Sequence, residues 1–211
     1  MVTGRGAAMI AMLGISCAAG CGSAPVSNNP PPAPPANSPP LSEPPAGKPT
    51  AASPPTRGRP NATLGDGSIA VLRTRARTLE LRDAAGRTVA SAPAGVGPTH
   101  AVSDGDALVF VVDTAGNGLL LFHTRPHLAL NRRAYLPGRP YAMAIDPVRK
   151  HLWVTLTASN QLAEVAADAR PRLLRILPTV RQPDDVSVDL TTGIVTVRGR
   201  DQAVRVRDSG S

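Results

Sequence analysis

Proline and aspartate mark a regular interval along most of this chain. Proline recurs at Pro60, Pro98, Pro140 and Pro183, and an aspartate follows each one six residues later, at Asp66, Asp104, Asp146 and Asp189. Successive prolines are 38, 42 and 43 residues apart. A self-similar unit of that length cannot bury a face alone and has to stack on its own copies. The most legible copy runs from Gly138 to Val165. It holds an alternating run (Tyr141 to Ile145), an Asp146-Pro147 turn, an apolar run (Leu152 to Thr157), a polar turn at Ser159-Asn160 and a third run (Leu162 to Val165). Period-two alternation bounded by Asp, Pro, Asn and Ser predicts an antiparallel meander with one buried face. Four such copies predict an all-β fold, a small propeller of about four blades.

The strands fall at matching positions in each copy. The first is Ala101 to Ser103, Ala142 to Ile145 and Val186 to Val188; the second is Ile69 to Leu72, Leu108 to Val112, Leu152 to Leu156 and Ile194 to Val197. The third is Leu79 to Arg82, Leu119 to Phe122, Leu162 to Val165 and Val204 to Arg207. The fourth, Val89 to Ala92, Arg133 to Leu136 and Leu173 to Leu177, leads into the next proline, and the last blade lacks this outer strand. Three outcomes follow for that blade: it stays three-stranded with a charged edge, it joins a second copy of the chain in a larger ring, or a partner donates a strand. With only five aromatic residues, Val, Leu, Ile and Ala have to fill the core.

In the third copy a proline (Pro140) precedes the first strand, an Asp-Pro turn (Asp146-Pro147) follows it, and an aromatic-Val-Thr strand (Trp153-Val154-Thr155) comes next. This copy resembles the YVTN family of β-propeller repeats, relatives of the NHL type. The resemblance extends over Pro60 to Asp208, with Phe110-Val111-Val112 and Val195-Thr196-Val197 as looser counterparts that lack Asp-Pro. It implies an architecture and no single function.

Ahead of the repeats the chain changes character twice. Residues 1–20 have one early positive charge (Arg5) and an apolar stretch from Ala7 to Ala19, too short to span a bilayer and expected to be a signal peptide. Ala18-Ala19-Gly20-Cys21 resembles the lipobox of bacterial lipoproteins, which implies acylation at Cys21, an extracytoplasmic location and a lipid anchor in the bacterial cell membrane. Residues 21–59 hold most of the 23 prolines among Ala, Ser, Asn and Thr. Such a stretch cannot bury enough surface to offset its ordering entropy, so a disordered stalk of partly polyproline II character is expected, with Thr50, Ser53 and Thr56 as glycosylation candidates. The repeat domain is then 60–211. The chain has two cysteines, Cys17 and Cys21. With Cys17 in the signal peptide and Cys21 acylated, disulfides, a cysteine nucleophile and a thiolate metal site are all excluded.

The net charge is +8, but the arginines are scattered and not interleaved with stacking aromatics, which argues against nucleic acid and for anionic envelope polymers or lipid head groups. On the last copy Val and Arg alternate, so that Arg198, Arg200, Arg205 and Arg207 form first of all a solvated face, and as a functional surface a site for an anionic ligand. The histidines offer no metal-ligand spacing: His123 and His127 flank Pro126, while His100 and His151 stand at strand starts. Asp104, Asp146 and Asp189 are read as turn residues in preference to a ring of carboxylates. No phosphate loop, serine elbow, catalytic acid pair or cofactor motif appears. These features favour a non-catalytic binding or scaffolding propeller that meets a protein or an envelope polymer. A metal-dependent lyase or hydrolase is the enzymatic alternative, and half of a larger propeller assembly, such as a homodimer, is the third.

Overall fold

The structure is a computed structural model, and it describes residues 61–207. The expected signal peptide, Cys21 and the expected proline-rich stalk lie outside these residues. The described chain is all-β, with fifteen strands in four antiparallel sheets that follow one another in sequence. The first sheet is β1 (Asn61–Thr63), β2 (Ile69–Arg73), β3 (Thr78–Arg82) and β4 (Thr88–Pro93). The second is β5 (Pro98–Ser103), β6 (Leu108–Asp113), β7 (Gly118–His123) and β8 (Ala129–Tyr135). The third is β9 (Pro140–Asp146), β10 (His151–Leu156), β11 (Gln161–Ala166) and β12 (Leu173–Pro178), and the fourth is β13 (Asp185–Val188), β14 (Ile194–Arg198) and β15 (Ala203–Arg207). Each sheet is a simple meander, and the fourth has three strands among the described residues. The propeller expectation therefore holds, blade by blade. The largest shift is in β8, which begins at Ala129 where the sequence suggested Arg133. Ala129 and Leu130 extend the ladder opposite His123 and Phe122, beyond a register shift between Leu121 and Phe122.

The packing explains the residue pattern. Three apolar clusters fill the three junctions between successive sheets. Leu72 and Leu79 meet Val109, Val111 and Phe122 at the first junction; Phe110, Val112 and Leu121 meet Met143, Leu152 and Val154 at the second; Trp153 and Leu162 meet Val186, Val195 and Val197 at the third. The innermost strands β1, β5, β9 and β13 pack in succession, and no comparable packing joins the first sheet to the fourth. The four blades therefore form an open arc with three interfaces. Sheets two and three are covered on both faces, and β6, β7 and β10 are accordingly apolar at nearly every position. Sheets one and four are covered on one face only, and β2 (IAVLR) and β14 (IVTVR) alternate buried with less buried positions. Each large side chain sealed in these junctions contributes roughly 1.5–3 kcal/mol.

Turns and junctions are tied by repeated polar contacts. Asp66, Asp104, Asp146 and Asp189 each accept backbone N–H groups two to four residues on, at 2.9–3.1 Å, so the turn reading of these aspartates is correct. A second device was not legible in the sequence. The turn between the second and third strands ends in a residue of left-handed conformation, Asn117 (φ 49°) in sheet two and Asn160 (φ 55°) in sheet three. The Asn117 carbonyl accepts from Leu136 N and its side-chain oxygen from Arg139 N (3.2 Å); Asn160 repeats both bonds with Thr179 N and Gln182 N (2.8 Å). Each asparagine thus holds the segment that leads into the next sheet. In sheet one this place is taken by Arg77 (φ 57°), which has no acceptor side chain. There the buried carboxylate of Asp113 reaches back from sheet two and accepts from Gly97 N (2.8 Å) and Val96 N (3.1 Å), as well as from Gly116 N (3.1 Å) in its own turn and the Arg133 guanidinium (3.2 Å).

Asp113→Ala removes four hydrogen bonds to one buried carboxylate at once and is expected to destabilise the domain by about 3 kcal/mol, whereas Asn160→Ala, losing one side-chain bond at a left-handed position, should cost about 1–2 kcal/mol. Urea unfolding of the two variants checks this, and equal small losses would refute the clamp.

Candidate functional site

Register decides which of the sequence-selected arginines come together. In the fourth sheet Val186 pairs with Val197 and Val188 with Val195, and these valines face the third sheet. The residues between them point away from it. Arg198 is paired between Asp185 and Ala203, Arg205 stands opposite Thr196, and Arg207 stands opposite Ile194. Arg198, Arg205 and Arg207 therefore share the outward face of one small sheet, with Arg205 and Arg207 roughly 7 Å apart along their strand. Arg198 is partly neutralised by the Asp185 carboxylate at 3.3 Å. Arg205 and Arg207 have no hydrogen bond or ion pair among the described residues, and both are exposed. Arg200 is separated from the other three. It sits in the turn that joins β14 to β15, on the rim of a depression of about 430 Å³ that Arg181, Gln182, Asp201 and Gln202 also line.

The outward face of the first sheet differs. Glu80 lies between Arg73 (3.2 Å) and Arg82 (2.9 Å), and these guanidiniums, Arg82 foremost, hold its carboxyl below the ordinary glutamate range. Both of these arginines contact a carboxylate, whereas Arg205 and Arg207 on the fourth sheet's face do not.

Two polar groups take up His151 and His100, which the sequence placed at strand starts without showing their partners. Trp153, Glu164 and Arg175 form a cross-strand row on β10, β11 and β12. Glu164 is 1% exposed, ion-paired with Arg175 and 3.0 Å from His151 Nδ1, and the Arg175 guanidinium stands 5.6 Å from the centre of the Trp153 ring. A buried carboxylate held between a cation and an imidazole ties the three strands β10, β11 and β12 together. The signal for it was the lone acid in the apolar run of β11.

His100 is the other. It lies on β5, where its ring meets Tyr141 of β9 edge to face, with centroids 5.3 Å apart and planes at 71°. Its Nδ1 is buried without a hydrogen-bond partner. Burial pushes the imidazole below its ordinary value, opposed by the Tyr141 backbone and the Asp185 carboxylate. The remaining histidines do not join it: His123 ends β7, His127 is exposed in the loop that follows, and His151 belongs to the Glu164 group. Among the described residues no three His, Cys, Asp or Glu side chains gather into a metal-holding group.

No known protein family and no curated protein matches the sequence. Solved structures do match the fold. Hydrazine synthase from Kuenenia stuttgartiensis superposes with a TM-score of 0.60 at 16% identity, covering 72% of this chain and 58% of that one. A catalytically inactive histidine-to-alanine variant of virginiamycin B lyase from Staphylococcus aureus, with quinupristin, gives 0.51 at 12% identity over 74% of this chain and 56% of that one. The dihydro-heme d1 dehydrogenase NirN gives 0.50 at 20% identity over 72% of this chain and 36% of its own. The chain thus spans little more than half the length of the first two, or less. At these identities the likeness establishes the β-propeller fold and leaves activity open.

The fold favours neutral His100, so its contribution to stability is complete above about pH 6.5, the ordinary histidine value, and declines as pH falls below it. His100→Gln should therefore flatten the fall in thermal midpoint between about pH 7.5 and about pH 5.5. An unchanged slope in the variant would show that the imidazole titrates alike in folded and unfolded chains.

Proposed function

We propose that this chain is an extracytoplasmic bacterial lipoprotein, acylated at Cys21, whose YVTN-type propeller blades form a non-catalytic module that binds an anionic polymer of the cell envelope. The observation that carries the reading is the outward face of β13–β15. Arg205 and Arg207 lie side by side there without carboxylate partners, whereas most other acids of the domain are already engaged by an arginine. Unpaired guanidiniums side by side on one sheet face are suited to repeated bidentate contacts with carboxylates or phosphates. Such contacts are individually weak in water and gain strength by repetition along a polymer. The proline-rich stalk would set the domain off the membrane, at about 3.1 Å per residue where polyproline II persists.

A second reading, part of a larger ring, is favoured by the open arc and by the fraction of its structural neighbours that the chain spans. Two copies closing on each other would set Arg73 and Arg82 of one against Arg198, Arg205 and Arg207 of the other, with Glu80 and Asp185 as the counter-charges. That excess of like charge disfavours a homodimeric ring.

Cys21→Ser should move the protein from the membrane to the soluble fraction of a bacterial host. In that soluble form, Arg198, Arg205 and Arg207 changed together to Ser should weaken retention on isolated envelope, with a shallower dependence on salt. Membrane association that survives Cys21→Ser without acyl label would reject the anchor, and undiminished retention of the triple variant would reject the basic face.

A further inference from the structure

The polymer reading names a charged face but no site for an individual sugar unit, and the turn at residues 199–202 supplies one. In sheets two and three the equivalent turn is occupied by its own asparagine clamp, with Asn117 and Asn160 bonding the segment that follows. In the fourth sheet the turn carries Arg200, Asp201 and Gln202, and none of these side chains makes a hydrogen bond or ion pair among the described residues. The turn also packs tightly against the segment that enters the sheet: a Cβ on Gly199 would collide with the Arg181 carbonyl. That close approach brings Arg181 and Gln182 beside Arg200, Asp201 and Gln202 around a depression of about 430 Å³. Ligand pockets typically measure roughly 300–1,000 Å³.

The chemistry of the lining is specific. Nine arginines of the described residues are held by a carboxylate: Arg73 and Arg82 by Glu80, Arg87 by Asp83, Arg125 by Asp106, Arg133 by Asp113, Arg149 by Asp146, Arg172 by Asp168, Arg175 by Glu164 and Arg198 by Asp185. Asp201 borders the same depression as two arginines and pairs with neither. Two guanidiniums are thereby left for an acid group, while one carboxylate and two side-chain amides remain to accept from and donate to hydroxyls. We propose that this depression binds an acid-bearing sugar unit, with Arg181 and Arg200 on its carboxylate or phosphate and Asp201, Gln182 and Gln202 on its hydroxyls. The proposal rests on the anionic-polymer reading and gives that polymer its repeating unit.

The test uses the full chain in its Cys21→Ser form, titrated by calorimetry with tetragalacturonate, glucose 6-phosphate, maltotetraose and inorganic phosphate, with the arginine side-chain N–H signals followed by NMR, and with the polymer polygalacturonate titrated separately into the same chain, its Arg181→Ser with Arg200→Ser variant and its Arg205→Ser with Arg207→Ser variant. The expected result is that one of the two acid-bearing sugars binds and shifts the Arg181 and Arg200 signals, and that Arg181→Ser with Arg200→Ser weakens it by about tenfold or more. Maltotetraose and inorganic phosphate should bind far more weakly, and Arg75→Ser with Arg132→Ser, two exposed arginines outside the depression, should leave the short ligand's affinity within about threefold. All six are exposed arginines, and an unchanged thermal midpoint confirms that the variants fold. Equal binding of maltotetraose would overturn the role of the acid group, and equal binding of inorganic phosphate would overturn the role of the sugar. Polygalacturonate binding lost in the Arg205 and Arg207 variant but retained in the Arg181 and Arg200 variant would overturn the subsite and keep the polymer reading. Failure of the wild type to bind polygalacturonate and every short ligand would overturn both.

Discussion

A four-stranded meander has two faces and no means of covering either, so this domain exists only through the packing of one sheet on the next. That constraint dictates the composition of each strand. Where a sheet is flanked on both sides, as the second and third are, its central strands carry apolar residues at consecutive positions, and Phe110 and Val111 point into different interfaces. Where a sheet is flanked on one side, the alternate positions are released to Thr, Glu and Arg. Small inner-strand residues such as Ala62, Ala101 and Ala144 let neighbouring sheets approach closely.

The same logic governs the charges. Arginine is the dominant cation, and half of it among the described residues bridges strands or closes turns, where the planar guanidinium can hold a carboxylate while its stem covers apolar surface. Against that background Arg205 and Arg207 stand out as two cations side by side on one sheet face with no carboxylate partner among the described residues. Arg175 and Glu164 show the opposite extreme, a pair on adjacent strands whose carboxylate is fully buried.

Much of the architecture was legible because it is periodic. The proline and aspartate marks repeat, the strands between them alternate, and tight turns need particular residues, so Asp146-Pro147 announces its turn with no knowledge of what surrounds it. The clamps escaped notice for the converse reason. Asn160 bonds an amide 22 residues away, and Asp113 receives amides 16 and 17 residues before it, so neither carries a local signature. The site was half legible. Alternation placed Arg205 and Arg207 on one face, but it could not show that Arg198 has a partner in Asp185, or that Arg200 leaves the face to join Arg181, a residue 19 positions earlier.

Because each sheet touches only its neighbours in sequence, the domain behaves as a short one-dimensional stack in which local opening begins at an end and moves inward. Opening the second or third sheet breaks two interfaces; opening the fourth breaks one, across three strands. The surface that carries the unpaired arginines thus rides on the element with the least to lose by fraying. A bound ligand that bridges Arg181, just before β13, to Arg200, between β14 and β15, would tie the end of the stack shut, and recognition and rigidity would then be the same event.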